Sequence, residues 1–277
     1  MNFPFPVNCP TIFTSGISSL CNMRAMDIQV VTTQQGWEAA KLAFRRNKRF
    51  YLQEALGLGI FMVSACFFSA LLESPLSSIH AAIPDSVVRH DILGILMGLT
   101  ALFIFYSPWT APSGSHINPA VTLTFLHLGR VCRWDALFYI IFQVIGGVSA
   151  VWFMGMAMGP VLTSTPVSYA VTVPGTSGLW AALLTEFIIG FLMMSMVLHT
   201  GNNKRWSHYT RIIAACLVCL NVILAAPISG FGMNPARSFA SALPAGIWTA
   251  WWIYLLAPVT SMLAAAECYK YFKKLKK

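Results

Sequence analysis

Charge is what this sequence has least of. Only 10% of its 277 residues are Asp, Glu, Lys or Arg, and the carboxylates number nine. A soluble domain is about a quarter charged and just under half apolar, whereas here 57% of residues are apolar and the mean hydropathy is +0.66. A water-soluble globule is excluded for want of charge to cover it. Disorder is excluded because the chain is too apolar. The six histidines show no His-x-x-x-His spacing, which argues against a membrane metalloenzyme. The seven cysteines suggest no disulfide framework, since Cys66, Cys216, Cys219 and Cys268 sit in apolar runs, where a thiol acts as a small hydrophobe. Cys216-x-x-Cys219 has redox or zinc spacing but no second pair or histidine cluster beside it. What remains is a polytopic membrane protein of one domain.

About twenty apolar residues cross a bilayer core. Six stretches qualify, at roughly 50–72, 91–107, 135–158, 179–199, 210–229 and 248–268. Two further apolar pieces, about 117–127 and 233–243, are too short to span. Cations collect on one side of this arrangement. Sixteen of the eighteen Lys and Arg lie before the first span, between spans two and three, between four and five, or in the tail. The alternate connections hold only Arg89 and Arg237, and the one at 159–178 has none. Because cytoplasmic loops concentrate Lys and Arg, both termini are expected in the cytoplasm. The net charge of +9 then sets topology and contacts lipid headgroups, and no nucleic-acid partner is expected. Residues 1–48 form a polar cytoplasmic segment, 49–270 the membrane domain and 271–277 a basic tail. Residues 1–20 lack the basic start and cleavage site of a signal peptide, and Met23 or Met26 are candidate initiators.

The chain repeats itself. Tyr51-Leu-Gln-Glu54 opens the first span and Leu183-Leu-Thr-Glu186 the fourth. Each half then reaches a matching box, Asn118-Pro119-Ala120 and Asn234-Pro235-Ala236. With three spans per half, an odd number, the halves must lie in the membrane with opposite orientation. Functional sites of inverted repeats sit near mid-bilayer at the repeat interface. Proline suits the first helical position and asparagine is a good N-cap. Each box therefore reads as a loop that dips into the membrane and starts a half-helix there. Non-helical backbone at that depth is tolerated only when buried in protein or lining a wet cavity. Two N-termini meeting at mid-depth bring two partial positive charges together, with two asparagine amides left as donors toward the axis. Gly114, Gly230 and Gly232 let the loops turn and present carbonyls along one wall.

On these features the sequence resembles an aquaporin, a member of the major intrinsic protein family, over about residues 50–270. The match takes in both boxes, His116 before the first, Arg237 after the second, the two glutamates, Gln143-Val-Ile-Gly146-Gly147, and Trp252-Ile-Tyr254 followed by Pro258. The resemblance implies an all-α fold of six transmembrane helices and two re-entrant half-helices, one pore per subunit and a homotetramer in the cell membrane. It also implies a passive channel with no enzyme activity, cofactor or metal.

Glu54 and Glu186 are the only carboxylates deep within the spans, and such groups are functional candidates by default. One reading is a proton relay. The other is a structural acceptor for the backbone N–H groups of the dipping loops, which repeat symmetry and the resemblance both favour. Pore-lining carbonyls are expected at Gly114, Ser115, His116, Gly230 and Gly232. By resemblance the selectivity filter comprises Arg237, Phe231, Val222 and a second-span position at Met97 or Gly98. Arg237 would donate hydrogen bonds and repel cations. Water-selective members typically carry histidine at the fifth-span position and a small residue or cysteine before the second box, so this filter is more apolar than theirs. Ser238, where glycerol channels usually carry aspartate, points back toward water, and Tyr254-Leu255 lies between the classes. The principal reading is single-file water conduction that excludes protons and ions. The alternative is a same-fold channel for glycerol, ammonia, hydrogen peroxide or metalloid hydroxides. A coupled transporter would need an unpaired titratable residue at the substrate site, and both carboxylates already have structural work. Gly94 with Gly98, and Gly57 with Gly59, are expected to allow close helix contact.

The resemblance puts Phe231 where the family's mercury-sensitive cysteine lies. Osmotic swelling with and without a mercurial is therefore expected to show no block through this position. Inhibition traced to a cysteine at that place in the pore would mean the alignment is shifted.

Overall fold

The computed structural model describes residues 25–275, with side-chain surroundings from residue 36. Met23, Arg24, Lys276 and Lys277, used in the sequence reading, lie outside the described residues. Every element among the described residues is helical: α1 (Ala25–Glu73), α2 (Ser78–Ala82), α3 (Ser86–Tyr106), α4 (Pro119–His127), α5 (Arg133–Met158), α6 (Pro160–Thr163), α7 (Leu179–Gly201), α8 (Thr210–Ser229), α9 (Pro235–Ala245) and α10 (Trp251–Leu275). Six of them, α1, α3, α5, α7, α8 and α10, are long and apolar enough to cross a membrane. The half-helices α4 and α9 have 9 and 11 residues. At about 1.5 Å per residue they reach about halfway across a hydrocarbon core.

The outward faces remain apolar. Trp152, Phe153, Met156, Leu184 and Leu224 are all exposed. A soluble monomer rarely shows such a girdle, and in lipid these side chains are in their preferred solvent. The chain is an integral, multi-pass membrane protein.

Local sequence sets the helix ends. Asp85 caps α3 by accepting from Val87 N at 2.8 Å, and Pro108 follows soon after its end at Tyr106. Gly230, with φ +80°, closes α8. The first helix starts well before its apolar stretch, because Gly36–Arg49 is polar but helix-compatible. Lys41 pairs with Glu38 at 2.8 Å and lies over the Trp37 ring. Asn47 and Tyr51 both donate to Asp135 Oδ1 of α5, at 2.9 and 2.6 Å. Hydropathy registers only the greasy part of such a helix.

Packing repeats with the sequence. The pair α1–α5 in the first half answers α7–α10 in the second, and α1–α3 answers α7–α8. The half-helices are exchanged between halves: α4 packs on α10, and α9 on α5. The two central helices, α3 and α8, meet across the pseudo-two-fold axis. Gly94 and Gly98 face α8 there. A Cβ on Gly98 would stand 2.7 Å from Cys219 Cβ and 3.2 Å from the Ala215 carbonyl. A Cβ on Gly59 would stand 3.5 Å from the Gly146 carbonyl of α5, and one on Gly57 would stand 2.6 Å from the Ile117 side chain of the first loop and 3.6 Å from Ile104 of α3.

Among the described residues Cys66, Cys216, Cys219 and Cys268 carry free thiols. Cys132 is disulfide-bonded, so the sequence expectation has this one exception.

Because the atoms facing Gly98 are main chain or Cβ and cannot swing aside, Gly98→Val is expected to destabilise the fold by about 1–3 kcal/mol through overpacking. Gly36→Ala, whose new methyl meets only Trp134 at 3.9 Å and which replaces a poor helix former inside α1, is expected to be neutral or slightly stabilising. Thermal unfolding of the two variants in detergent would test the contrast.

Candidate functional site

The site is built by two loops that enter the bundle from the ends of α3 and α8. Their backbones share one unusual conformation. Gly114, Ser115 and Ile117 have φ of +93°, +48° and +42°, and Gly230, Phe231 and Met233 have +80°, +51° and +45°. Only the two glycines adopt such values readily. The other four residues, Ile117 above all, hold a disfavoured conformation that the surroundings must impose.

Two buried carboxylates do so. Glu54 Oε1 accepts from His116 N at 3.0 Å and the Ser113 hydroxyl at 2.6 Å. Its Oε2 accepts from Ile117 N at 2.6 Å and Gln143 Nε2 at 2.8 Å. In the other half Glu186 Oε1 accepts from Gly232 N at 2.8 Å and the Ser229 hydroxyl at 2.7 Å, while Oε2 accepts from Met233 N at 2.5 Å. Tyr139 and Tyr254 complete the match, donating to the carbonyls of Ser113 at 2.8 Å and Ser229 at 2.6 Å. Both glutamates are fully buried, and every one of these partners is a donor. The arrangement is that of a structural acceptor rather than a relay.

Peptide planarity carries the consequence across the loop. The N–H of one residue and the C=O of the residue before it point in opposite directions. Amides 116 and 117 turned toward Glu54 therefore aim the carbonyls of Ser115 and His116 away from it. Amides 232 and 233 turned toward Glu186 do the same for Phe231 and Gly232. The amides of Ser115 and Phe231 bind the Ser113 and Ser229 hydroxyls, at 3.1 and 3.2 Å, which turns the carbonyls of Gly114 and Gly230 likewise. The five carbonyl positions read from the sequence thus gain a sixth, Phe231. It was legible from the repeat, where it is the counterpart of Ser115.

The asparagines meet as the repeat requires, with one correction. Asn118 Oδ1 caps α4 through Ala120 N at 2.9 Å, and Asn234 Oδ1 caps α9 through Ala236 N at 3.1 Å and Arg237 N at 3.2 Å. Pro119 and Pro235 occupy the first helical positions, and Ala120 and Ala236 are buried. Each amide also reaches across to the opposite loop. Asn118 Nδ2 donates to the Met233 carbonyl at 2.8 Å, and Asn234 Nδ2 to the Ile117 carbonyl at 2.6 Å. Only one of the two hydrogens on each amide is therefore left for anything else. The crossed bonds stitch the loops tip to tip.

Two cavities flank this junction. One, of about 190 Å³, is bordered by Gly114, Ser115, His116, Asn118, Gly232 and Asn234 among others. The other, of about 170 Å³, is bordered by Met97, Val222, Phe231 and Arg237, together with Gly230 and residues of the 159–178 connection. The four expected filter positions are thus neighbours. Of the two second-span candidates Met97 borders this cavity, whereas Gly98 is turned into the α8 contact. The His116 ring stacks on Phe125 and accepts or donates through Nδ1 to the Thr122 hydroxyl at 3.2 Å, so it is held as packing.

Besides the serines and Tyr139 of this scaffold, the sequence reading missed Thr172 and Phe61. Thr172 binds the Arg237 guanidinium through its hydroxyl and receives the Ser238 hydroxyl at 3.3 Å. Nothing in the uncharged 159–178 connection marks it out. Phe61 of α1 borders both cavities. It reads simply as a span residue, although it lies seven positions after Glu54 and so on the same helix face.

Replacing Glu54 by Gln puts an NH₂ against a set of donors. Each buried group left unsatisfied costs about 1–3 kcal/mol, so the yield and melting temperature of folded Glu54→Gln protein are expected to fall sharply. A normally folded variant that had instead lost a proton-coupled flux would overturn the structural role.

Comparison with known proteins agrees with this geometry. A family profile described as major intrinsic protein matches residues 41–269. The chain is 35% identical over 167 residues to a protein of Nicotiana alata named "Probable aquaporin NIP-type", covering 60% of each chain. It is 34% identical over 189 residues to "Aquaporin NIP1-1" of Arabidopsis thaliana, covering 67% of this chain and 63% of that one. The matched stretch spans about three fifths of the length of these relatives. Among solved structures, an aquaglyceroporin from Plasmodium falciparum superposes with a TM-score of 0.66 at 19% identity, over 80% of this chain and 94% of that one, and supports the fold. The fold, the paired boxes and the profile lead to one conclusion: the chain belongs to the major intrinsic protein family, whose aquaporin members are channels and not enzymes.

Proposed function

We propose that this protein is a passive transmembrane channel that conducts water in single file and excludes protons and ions. The observation that carries the proposal is the meeting of Asn118 and Asn234, the caps of two converging half-helices, on the wall of one cavity. The loop carbonyls at 114–116 and 230–232 offer a line of acceptors to a file of water molecules. At the junction the one remaining hydrogen on each amide offers donors instead. A water there must accept from both, so its own hydrogens point away along the file and a continuous relay of protons is interrupted. The two helix N-termini add a positive potential at the same depth, and Arg237, held by Thr172, adds a second barrier to cations.

We assign the faces by the cation asymmetry: both termini cytoplasmic, and Arg237 with the 159–178 connection toward the outside of the cell membrane. The family resemblance supports a homotetramer with one pore per subunit as part of this reading. Membrane lipid and the permeant molecule are the remaining partners, and no nucleic acid takes part.

A second reading is favoured by one observation. Three of the four filter positions, Met97, Val222 and Phe231, present carbon and sulfur only, and of the four only Arg237 can form hydrogen bonds. Such a wall suits small neutral solutes with an apolar edge, among them glycerol, ammonia, hydrogen peroxide and metalloid hydroxides.

Stopped-flow light scattering of proteoliposomes decides between these. Water permeability is expected to rise well above that of empty liposomes, unaffected by collapsing a proton gradient. Arg237→Val is expected to admit a proton or cation leak. Rapid glycerol flux would establish the second reading, and the absence of any flux would overturn both.

A further inference from the structure

We propose that Phe61 and Phe231 form a single aromatic gate between the two cavities, and that this pair, rather than the four-residue constriction alone, sets the size and polarity of what passes. The inference rests on the channel reading above. Of all the residues that border the two cavities, these two alone border both. They arrive from different elements, Phe61 from α1 and Phe231 from the second loop, and both are buried.

The backbone under each ring is fixed. Phe231 sits at φ +51°, its amide on the Ser229 hydroxyl and the next amide on Glu186. A side chain on Gly232 would collide with the Tyr254 ring, so the loop cannot relax in that direction. Phe61 shares a helix face with Glu54, Gly57 and Ala65, spaced 3, 4 and 4 residues apart, which is the spacing of one helical stripe. Glu54 and Gly57 on that stripe are locked to the first loop, and Ala65 borders the second cavity.

The inverted repeat supplies an independent argument. Offset from Glu54 to Glu186, the counterpart of Phe61 is Met193. Offset from Asn118 to Asn234, the counterpart of Phe231 is Ser115. Both counterparts border the first cavity. The repeat therefore builds two equivalent places along the path. One is furnished with a flexible thioether and a small hydroxyl, the other with two rigid rings. The aromatic pair is an addition on one side of the junction, not a requirement of the fold.

The two phenyl rings themselves offer a permeant molecule no hydrogen bond, and a polar group without a partner is penalised. Hydrophobic constrictions of this kind close by dewetting. The gate would pass molecules that need few lateral hydrogen bonds and hold back polyols.

The test is a proteoliposome panel of water, glycerol and urea fluxes, normalised to folded protein, for Phe61→Ala, Phe231→Ala and the double variant. Each single substitution is expected to raise glycerol flux about tenfold, the change produced by about 1.4 kcal/mol off a barrier. The double variant should add little, because removing either ring already opens the gate. Should an alanine variant fail to fold by elution and melting, Phe61→Leu and Phe231→Met carry the same expectation at smaller amplitude. Water conduction by the wild type with all fluxes unchanged in the variants would overturn the gate and leave the channel reading standing. Independent, fully multiplicative effects of the two substitutions would overturn the single-gate claim. A closed wild type opened by either substitution would support the gate while removing the water reading.

Discussion

The structure depends on two carboxylates that exist to receive backbone amides. A loop inside a bilayer has N–H groups that neither water nor a helix ladder can satisfy. Glu54 and Glu186 take two such amides each, plus a serine hydroxyl that holds a third amide. The burial of an ion inside the membrane is offset by these charge-assisted bonds, which are stronger than neutral ones. The same bonds hold Ile117 and Met233 at positive φ and turn the carbonyls to the opposite side. Loop shape, carbonyl wall and the depth of the asparagines all follow from one acceptor per half.

The repeat extends to individual hydrogen bonds. Serine, tyrosine, glutamate and asparagine each recur at the corresponding place, and α4 and α9 are swapped into the opposite half. This interlock explains why the crossed asparagine bonds form, since each half-helix tip is positioned by the other half's helices. Symmetry then makes its violations informative. Gln143 answers Pro258 at the corresponding turn of the third helix of each half, so Glu54 has a side-chain amide partner where Glu186 has none of that kind. Phe61 and Phe231 against Met193 and Ser115 are a second violation, and it lies where both cavities are bordered by the same two rings.

The spans and boxes were legible in the sequence because the bilayer imposes them: a fixed thickness demands a length of apolar residues, and Asn-Pro is local helix-start chemistry. The glutamates' serine partners, Ser113 and Ser229, were legible too, had the repeat been extended past the flanking glycines. The polar first part of α1 was not, because hydropathy registers only apolar residues, and the bond from Asn47 to Asp135 that ties it to α5 spans 88 positions. Met97 and Gly98 differ by one residue, about 100° of helix rotation, and only packing against α8 shows which faces the cavity. Thr172 left no trace because its partner is more than sixty positions away and its own segment has no periodicity.

Thr172 also bears on how an apolar constriction can hold an arginine. Val222 and Phe231, which share its cavity, have no polar atom to offer the guanidinium. The connection between α6 and α7 supplies the missing acceptor from outside the six-helix frame. It is pinned there by Gly175 N on the Ile228 carbonyl at 3.0 Å, and Gly230 lies so close to Val173 that no side chain fits between them. The connection and the second loop are thus tied at both main chain and side chain. A segment that reads as a bare linker therefore belongs to the same mechanical unit as the arginine, and its lack of charge leaves Arg237 as the cation that its threonine orients.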